Sequence, residues 1–503
     1  MNTHDSTSSS SSSAAKPIND VAVYLDEAAD LTGGPVLVGL LNTSYQGGRS
    51  LASASFQYDR GYLAREDRYE ISPDLPLVET RTHTGANTNL FGAFSDASPD
   101  TWGQKLIEAN NAVQRRNGVG TLRALGEFDY LIGVDDRSRM GAIRLAPIGD
   151  TAVADTAVED SAPRRNWLST STGAGQQELF KILRIATRYE ASQASDEDIE
   201  YLAGIATSPG GARPKTNLRL RSGRLALAKL PHSKDGNVDV EGWEAVTLTI
   251  AKRAGITTPQ FRAIRATENK SILLLSRFDR FARDASGSRA SSNEGGISEA
   301  RRGYISAATA MGIGRHDDNS SLTYQHFADT IAALSGRPGK DLAEMYARIA
   351  LSVLVNNVDD HWRNHGFVRL NNTWRLAPVF DVNPNPRRGV VFSRAIGPAY
   401  DPRQRDIRDL HETSKSYRLN PTQSAEIIAR VAAQVRQWPT VAREAGIAET
   451  EILEMNGAFN EQQLEIAEAL PRSVAPSAAR TIVPAYGVDE VDEAAASDLD
   501  FEL

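Results

Sequence analysis

Val21, Val23 and Leu25 alternate with their neighbours, the period-two pattern of a half-buried strand. Leu37–Leu41, Ala54–Tyr58 and Gly61–Leu63 read as further short strands with Gly-rich punctuation. Pro99 and Asp100 then precede a helical stretch from Thr101 to about Val113. Tyr130–Val134 and Ile143–Leu145 read as closing strands, so residues 18–148 are expected to form a small α+β domain. Residues 149–175, rich in Ala, Asp, Ser, Thr and Gly, read as a linker.

The period then changes. Leu179, Ile182, Leu183 and Ala186 share one face of a helix over 177–189, and Ser195 is placed to cap a second over 196–205. Asn217–Leu220 and Arg224–Leu230 read as strands, Glu241–Ala254 as a helix stopped by Gly255, and Phe261–Ile264 and Ser271–Ser276 as strands again. Residues 282–302 form a Ser/Gly/Ala-rich insertion expected to be mobile. Beyond it the pattern is helical, over 326–334, 341–355, 423–437 and 449–468. A strand-rich lobe (176–281) followed by a helix-rich lobe (303–470) predicts a two-lobed α+β fold of the protein-kinase kind, a plan shared by many α+β enzymes.

Composition narrows the picture. The 503 residues contain no cysteine, which excludes disulfides, Cys metal sites and a Cys nucleophile and makes a reducing cytoplasm the expected location. No apolar run reaches the length of a transmembrane helix, so no membrane partner is expected. Residues 1–17, with six consecutive serines from Ser8 to Ser13, lack an apolar signal core and read as a disordered leader. The net charge of −8 is concentrated at the other end. Seven acidic residues and no basic one lie between Asp489 and Leu503, and removing their charge leaves −1 on the remainder. Residues 471–503 are therefore expected to be a disordered acidic tail, and the near-neutral body is not built to hold nucleic acid by bulk charge.

Four segments carry candidate chemistry. Asp359 and Asn364 stand five apart, the D-x-x-x-x-N interval of a kinase catalytic loop, in which the Asp accepts the hydroxyl proton and the Asn binds a metal. An Asn-rich hairpin, Phe367–Leu370 and Trp374–Leu376, leads from there to Phe380–Asp381, returning a second carboxylate beside the loop. Such a group of carboxylates and an amide suits Mg²⁺ and phosphate, while Asp360 and His361 also permit a metallophosphoesterase. Upstream, Ser208–Lys215 joins a helix to a strand through Gly210 and Gly211, whose backbone can approach phosphate. It is not a Walker A sequence, and an ordinary turn is the plain alternative. Lys229 ends an apolar strand, and Glu244 lies fifteen residues on in a helix; kinases pair such a Lys and Glu. The plain alternative is a lysine that reaches out to water. Ser276–Arg277–Phe278, at the lobe boundary, offers backbone to an adenine ring or simply ends a strand in ion pairs.

The order of these pieces is that of a kinase, and with them the chain resembles the HipA family of serine/threonine kinase toxins from bacterial toxin–antitoxin systems over roughly residues 20–440. Tyr24–Leu25, Phe56–Tyr58, Tyr62–Leu63, Ser72–Leu75–Pro76 and Ser98–Gly103 look like that family's N-terminal domain. The resemblance implies a phosphate loop of Gly210, Gly211, Ala212, Arg213, Pro214 and Lys215, with Ser208 as its autophosphorylated residue. It further implies ATP phosphates on Lys229 supported by Glu244, and adenine on Ser276, Arg277 and Phe278, with His361 and Phe380 also at the nucleotide. Asp359 would be the catalytic base, with Mg²⁺ on Asn364 and Asp381. Ser276 stands where some members carry Glu. The leader, the 282–302 insertion and the acidic tail depart from the family pattern. No helix-turn-helix segment stands out, so DNA is expected only through a separate HipB-like helix-turn-helix antitoxin. The implied substrate is a protein, such as an aminoacyl-tRNA synthetase or another translation component. The alternatives are a kinase-fold nucleotide-binding regulator without phosphotransfer and a small-molecule kinase.

Overall fold

The computed structural model describes residues 18–27, 34–47, 50–85, 88–121, 123–149, 166–171, 173–207, 211–283, 298–314, 317–387 and 394–473. The expected leader and nearly all of the acidic tail lie outside them. So do Ser208, Gly210 and the middle of the 282–302 insertion.

Five antiparallel strands form the first sheet, in the spatial order Thr82–His83, Ser50–Tyr58, Val36–Gln46, Asp20–Leu25, Ile143–Pro147. The strand expected to be half-buried is covered on both faces. Val21, Val23 and Leu25 enter the main core of this unit, and Ala22 and Tyr24 pack beneath Leu37, Leu40 and Trp167. Trp167 belongs to the expected linker. It meets Tyr24 edge-on at 5.5 Å and receives the Arg144 guanidinium at 3.8 Å, which fastens that part of the segment to the sheet. Two expected strands are helices. Gly61–Leu63 lies in a single turn, Arg60–Leu63, started by the Asp59 carboxylate on the Gly61 N–H. Tyr130–Val134 lies mostly in helix Glu127–Gly133, begun by Asp129 on the Gly126 N–H.

The second sheet runs Ala174–Gly175, Lys215–Arg219, Leu225–Lys229, Lys270–Ser276, Phe261–Thr267, with the short first strand parallel to its neighbour. One face packs on helices Thr101–Arg116, Leu179–Glu190 and Asp196–Ile205. Trp102 and Leu106 of the first of these join this core, so residues 18–148 are not self-contained. The other face meets helix Val240–Arg253, which opens with Asp239 capping Gly242 and stops before Gly255 at φ +79°. The ends of the expected insertion are ordered strands. Arg280–Arg283 and Ser298–Arg301 pair antiparallel, held by Arg301, which is buried against Asp136 at 3.2 Å.

A three-stranded sheet, Tyr304–Ser306, Gly366–Leu370 and Thr373–Leu376, introduces the helical lobe. Its hairpin turns on Asn371 and Asn372, both at positive φ, as a two-residue turn with right-handed strand twist demands. Helices Tyr324–Leu334, Pro338–Leu354 and Pro421–Val435 make the centre of the largest core. The helix expected over 449–468 is two, Glu449–Met455 and Glu461–Ser473. Between them lies a single 3₁₀ turn, Asn456–Ala458, in which a Cβ on Gly457 would stand 3.0 Å from the Pro386 carbonyl oxygen.

Candidate functional site

Lys229 is the last residue of its strand, and the sheet register sets it opposite Lys215 on one side and Leu273 on the other. Two buried ammonium groups side by side demand anions. Glu244, in the second turn of helix Val240–Arg253, accepts from Lys229 Nζ at 2.7 and 2.8 Å, and the Asp381 carboxylate accepts from the same nitrogen. Glu244 also accepts the Asp381 N–H at 3.2 Å, fixing a residue whose backbone sits at φ +54°. Burial alone would discharge Lys229, but Asp381 and Glu244 outweigh it and hold the ammonium well above its ordinary range. Asp381 follows the same logic in reverse: burial opposes its charge, yet Lys229 and Lys215 bring it down to about 2. Lys215 loses the balance. Its burial, aided by Lys229, lowers it to about 8 despite Asp381 and Asp100.

Lys215, Lys229, Asp100 and Asp381 line a cleft enclosing about 900 Å³ of empty space open to solvent, with Glu244 behind Lys229. Leu227, Leu275, Met140, Pro259 and Phe278 make the apolar part of the same lining. Phe278 stacks on Phe380 at 5.6 Å and leans on Tyr304 at 5.8 Å. Ser276 is tied across the sheet, its N–H to the Gln260 carbonyl at 2.8 Å and its Oγ to the Gln260 N–H at 2.9 Å. Arg277 lines the cleft, but its guanidinium is spent on Asp279, the Ser138 carbonyl and Asn217 at 2.6–2.9 Å. Its side chain therefore serves the junction with the first unit and is not open to adenine. Arg213 likewise departs from the expected phosphate role. It grips Asp235 at 2.6 Å and Glu241 at 2.7 Å, and lies outside the cleft lining. Gly211, Ala212 and Pro214 also lie outside that lining, and the Pro214 carbonyl accepts from Leu230 N at 2.9 Å. Gly211 sits at φ +64° with Lys215 Nζ so close that a Cβ would stand 2.8 Å from it, and its N–H donates to Asp100.

The loop after helix Pro338–Leu354 brings His361, Arg363 and Asn364 to the same cleft as Asp381. Asp359 differs from expectation: it is exposed and outside the lining, with its carbonyl accepting from Asn364 Nδ2 at 2.7 Å. The loop is held from beneath by Asp360, which sequence reading left open as a metal ligand. It is buried and bonded to His365 Nε2 at 2.7 Å, to Ser352 Oγ at 2.9 Å and to the Tyr324 hydroxyl. Burial opposes its ionisation, but His365 and these bonds hold it well below the usual carboxylate range. Among the described residues no three His, Asp or Glu groups are placed to hold a cation by themselves. Asn364 and Asp381, both on the cleft lining, are donor types that Mg²⁺ takes together with phosphates and water.

Sequence reading missed Ser95, Asp96, Ser98, Asp100 and Arg363 as cleft residues, and placed Ser98 and Asp100 only in an N-terminal motif. Their meeting with the Asp359–Asn364 loop spans about 270 positions; the Arg363–Asp96 bond crosses 267.

Comparison with protein families matches residues 207–438 to the HipA-like C-terminal domain and residues 36–131 to the HipA N-terminal domain. No curated protein matches the chain. Among solved structures, a Shewanella oneidensis MR-1 toxin–antitoxin system of HipA, HipB and its operator DNA is similar, at 16% identity and TM-score 0.59. The match covers 91% of this chain and 100% of that one. The Helicobacter pylori proinflammatory kinase CtkA also matches, at 12% identity and TM-score 0.35, covering 53% of this chain and 94% of that one. The fold is a two-lobed arrangement with an N-terminal α+β unit, similar to that of the matched Shewanella chain.

Proposed function

Because the chain belongs to the HipA family, we propose that it is an ATP- and Mg²⁺-dependent serine/threonine protein kinase of the toxin type. The observation that carries this reading is the meeting of Lys229 and Asp381 with Asn364 on one cleft, with Glu244 bonded to Lys229 from behind and Leu227, Leu275 and Phe278 on the same lining. A kinase needs little covalent chemistry from its protein. It needs reactants aligned and charge neutralised.

In this reading adenine enters between Leu227, Leu275 and Phe278. Lys229, poised by Glu244, takes the α- and β-phosphates, and Gly211 and Lys215 take the phosphate beyond. Asn364 and Asp381 would hold Mg²⁺, which would supply positive charge against the phosphates. Asp359 accepts the proton of the attacking Ser or Thr hydroxyl. The new bond joins that oxygen to the γ-phosphorus as the β–γ bridging bond breaks, and ADP leaves with the electron pair. Ser208 is the autophosphorylation site. A separate HipB-like helix-turn-helix antitoxin is the partner and the only route to DNA, and a translation component such as an aminoacyl-tRNA synthetase is the substrate class. Support for the antitoxin comes from the family and from the HipB in the Shewanella complex. Among the described residues no helix is long and apolar enough to cross a membrane, in keeping with a cytoplasmic site of action.

The exposed position of Asp359 favours one rival, a nucleotide-binding regulator that transfers nothing. Incubation with Mg·ATP followed by intact-mass analysis and site mapping separates the two. The kinase reading expects added phosphate on Ser208 in wild type and none in Asp359→Asn, with ATP bound by both. ATP binding without any added phosphate, on the chain or on an acceptor protein, selects the regulator.

A further inference from the structure

The cleft holds a cation that the proposed machinery leaves unused. Arg363 lies inside the Asp359–Asn364 loop, one residue before Asn364, and lines the cleft with about a third of its side chain exposed. Of the other basic groups on the lining, Lys229 is bound to Glu244 and Asp381 and the Arg277 guanidinium to Asp279, Ser138 and Asn217, while Lys215 and His361 already have a place at the nucleotide in the reading above. Arg363 makes looser bonds: Nη1 to Asp96 Oδ1 at 3.3 Å and Nη2 to Ser95 Oγ at 3.5 Å. Among the described residues these use two of its five N–H groups.

Its partner is a fixed one. Asp96 ends the short helix Gly92–Asp96 of the N-terminal unit, and its side chain is 2% exposed. The Ser306 N–H donates to it at 2.7 Å and the Ser306 hydroxyl at 2.8 Å, so it cannot turn away. A buried carboxylate that is oriented by a neighbouring strand and faces a half-free guanidinium is an arrangement for aiming that guanidinium, not for neutralising it.

We propose that Arg363 contacts the phosphoryl group in flight and that Asp96, supplied by the N-terminal unit, is the positioning residue that aims it. This rests on the kinase reading above. A planar guanidinium beside the catalytic loop matches the three equatorial oxygens of the transferring group, whose charge grows as the β–γ bond lengthens. The N-terminal unit thereby becomes part of the catalytic apparatus.

Three measurements test this. Arg363→Ala should lower kcat about 100-fold or more with KM for ATP within about threefold, and Arg363→Lys should recover part of the loss. Asp96→Asn should lower kcat about tenfold in the wild-type background and not further in the Arg363→Ala background. Aluminium fluoride, a planar mimic of the phosphoryl group, should tighten ADP binding to wild type and fail to do so in Arg363→Ala, while adenosine binds both alike. This last readout needs no turnover, so it judges Arg363 even if wild type proves to transfer nothing, which would refute the kinase reading alone. An Arg363→Ala protein that keeps wild-type kcat, or that retains the aluminium fluoride effect, overturns the proposal. Equal losses from Asp96→Asn in both backgrounds overturn the positioning role.

Discussion

Replacing Glu244 with Ala removes three bonds at once: two from Lys229 Nζ, at 2.7 and 2.8 Å, and one from the Asp381 N–H at 3.2 Å. The side chains of Glu244 and Lys229 are 3% and 10% exposed, so water does not replace what is lost. Breaking a buried ion pair from one side costs about 3–5 kcal/mol. Asp381 remains bonded to Lys229 and offsets part of this, while the bared Asp381 N–H adds about 1 kcal/mol. The expected stability loss is about 3 kcal/mol. Lys229 then swings fully to Asp381 and no longer stands ready for phosphate. One charge-assisted bond is worth about 1.5–3 kcal/mol, so ATP should bind about 10- to 100-fold more weakly. Glu244→Gln keeps an acceptor for the Asp381 N–H and should lose less of both. Urea denaturation and an ATP titration on the three proteins provide the check. The reasoning fails if Glu244→Ala unfolds within 1 kcal/mol of wild type and binds ATP within twofold.

Lys215, lowered to about 8 by burial, binds fewer protons folded than unfolded between pH 8 and its ordinary value near 10.5, so its contribution to stability rises with pH across that window, by about 3 kcal/mol, and is flat below it. Phosphate restores its charge, so ATP binding at pH 8.5 should take up protons, seen as a dependence of calorimetric enthalpy on buffer ionisation heat; equal enthalpies in phosphate and Tris buffers would refute this. Asp100 holds the Gly211 N–H where a nucleotide phosphate should sit, so Asp100→Asn should tighten ATP and ADP about fivefold, roughly 1 kcal/mol, and leave adenosine unchanged; weaker ADP binding would show that Asp100 shapes the loop and does not compete. Asp360 is held below its ordinary range, so it stabilises the fold above the unfolded value near 3.9 and loses that contribution as pH falls through its lower folded value. Asp360→Asn should therefore destabilise the chain by about 3 kcal/mol at pH 7 and flatten the acid limb of its stability curve, and an unchanged acid limb would count against the network.

The sequence exposes what is local and periodic. Helix Asp196–Ile205 with its Ser195 cap is legible to the residue, because capping and amphipathic spacing act within a few positions. The hairpin on Asn371–Asn372 is legible to within one residue at the start of each strand, since few other residues accept its backbone angles. Tyr130–Ile132 misleads because short apolar runs suit strand or helix equally, and here Asp129 decides by capping the turn before it. Lys229, Glu244 and Asp381 stand out as candidates because a lone charge among apolar neighbours demands a partner. Arg213 shows the limit of that argument: a guanidinium near a phosphate loop looks free until folding brings Asp235 and Glu241 to it, whereas Arg277 pairs with Asp279 two residues on, the ion-paired strand end that the sequence also allows. Asp96 and Asp100 carry no local signal as cleft residues, because their partners Arg363 and Gly211 are 267 and 111 positions away.

The central claim is phosphoryl transfer from this cleft, and it is tested most directly by following labelled γ-phosphate from Mg·ATP to protein, with ATP affinity measured on the same preparations of wild type and Asp359→Asn. The account predicts labelled protein with wild type, a loss of at least about 100-fold in Asp359→Asn, and ATP affinity within threefold between them. Transfer that persists in Asp359→Asn, or no transfer from a wild-type protein that binds ATP, would contradict it.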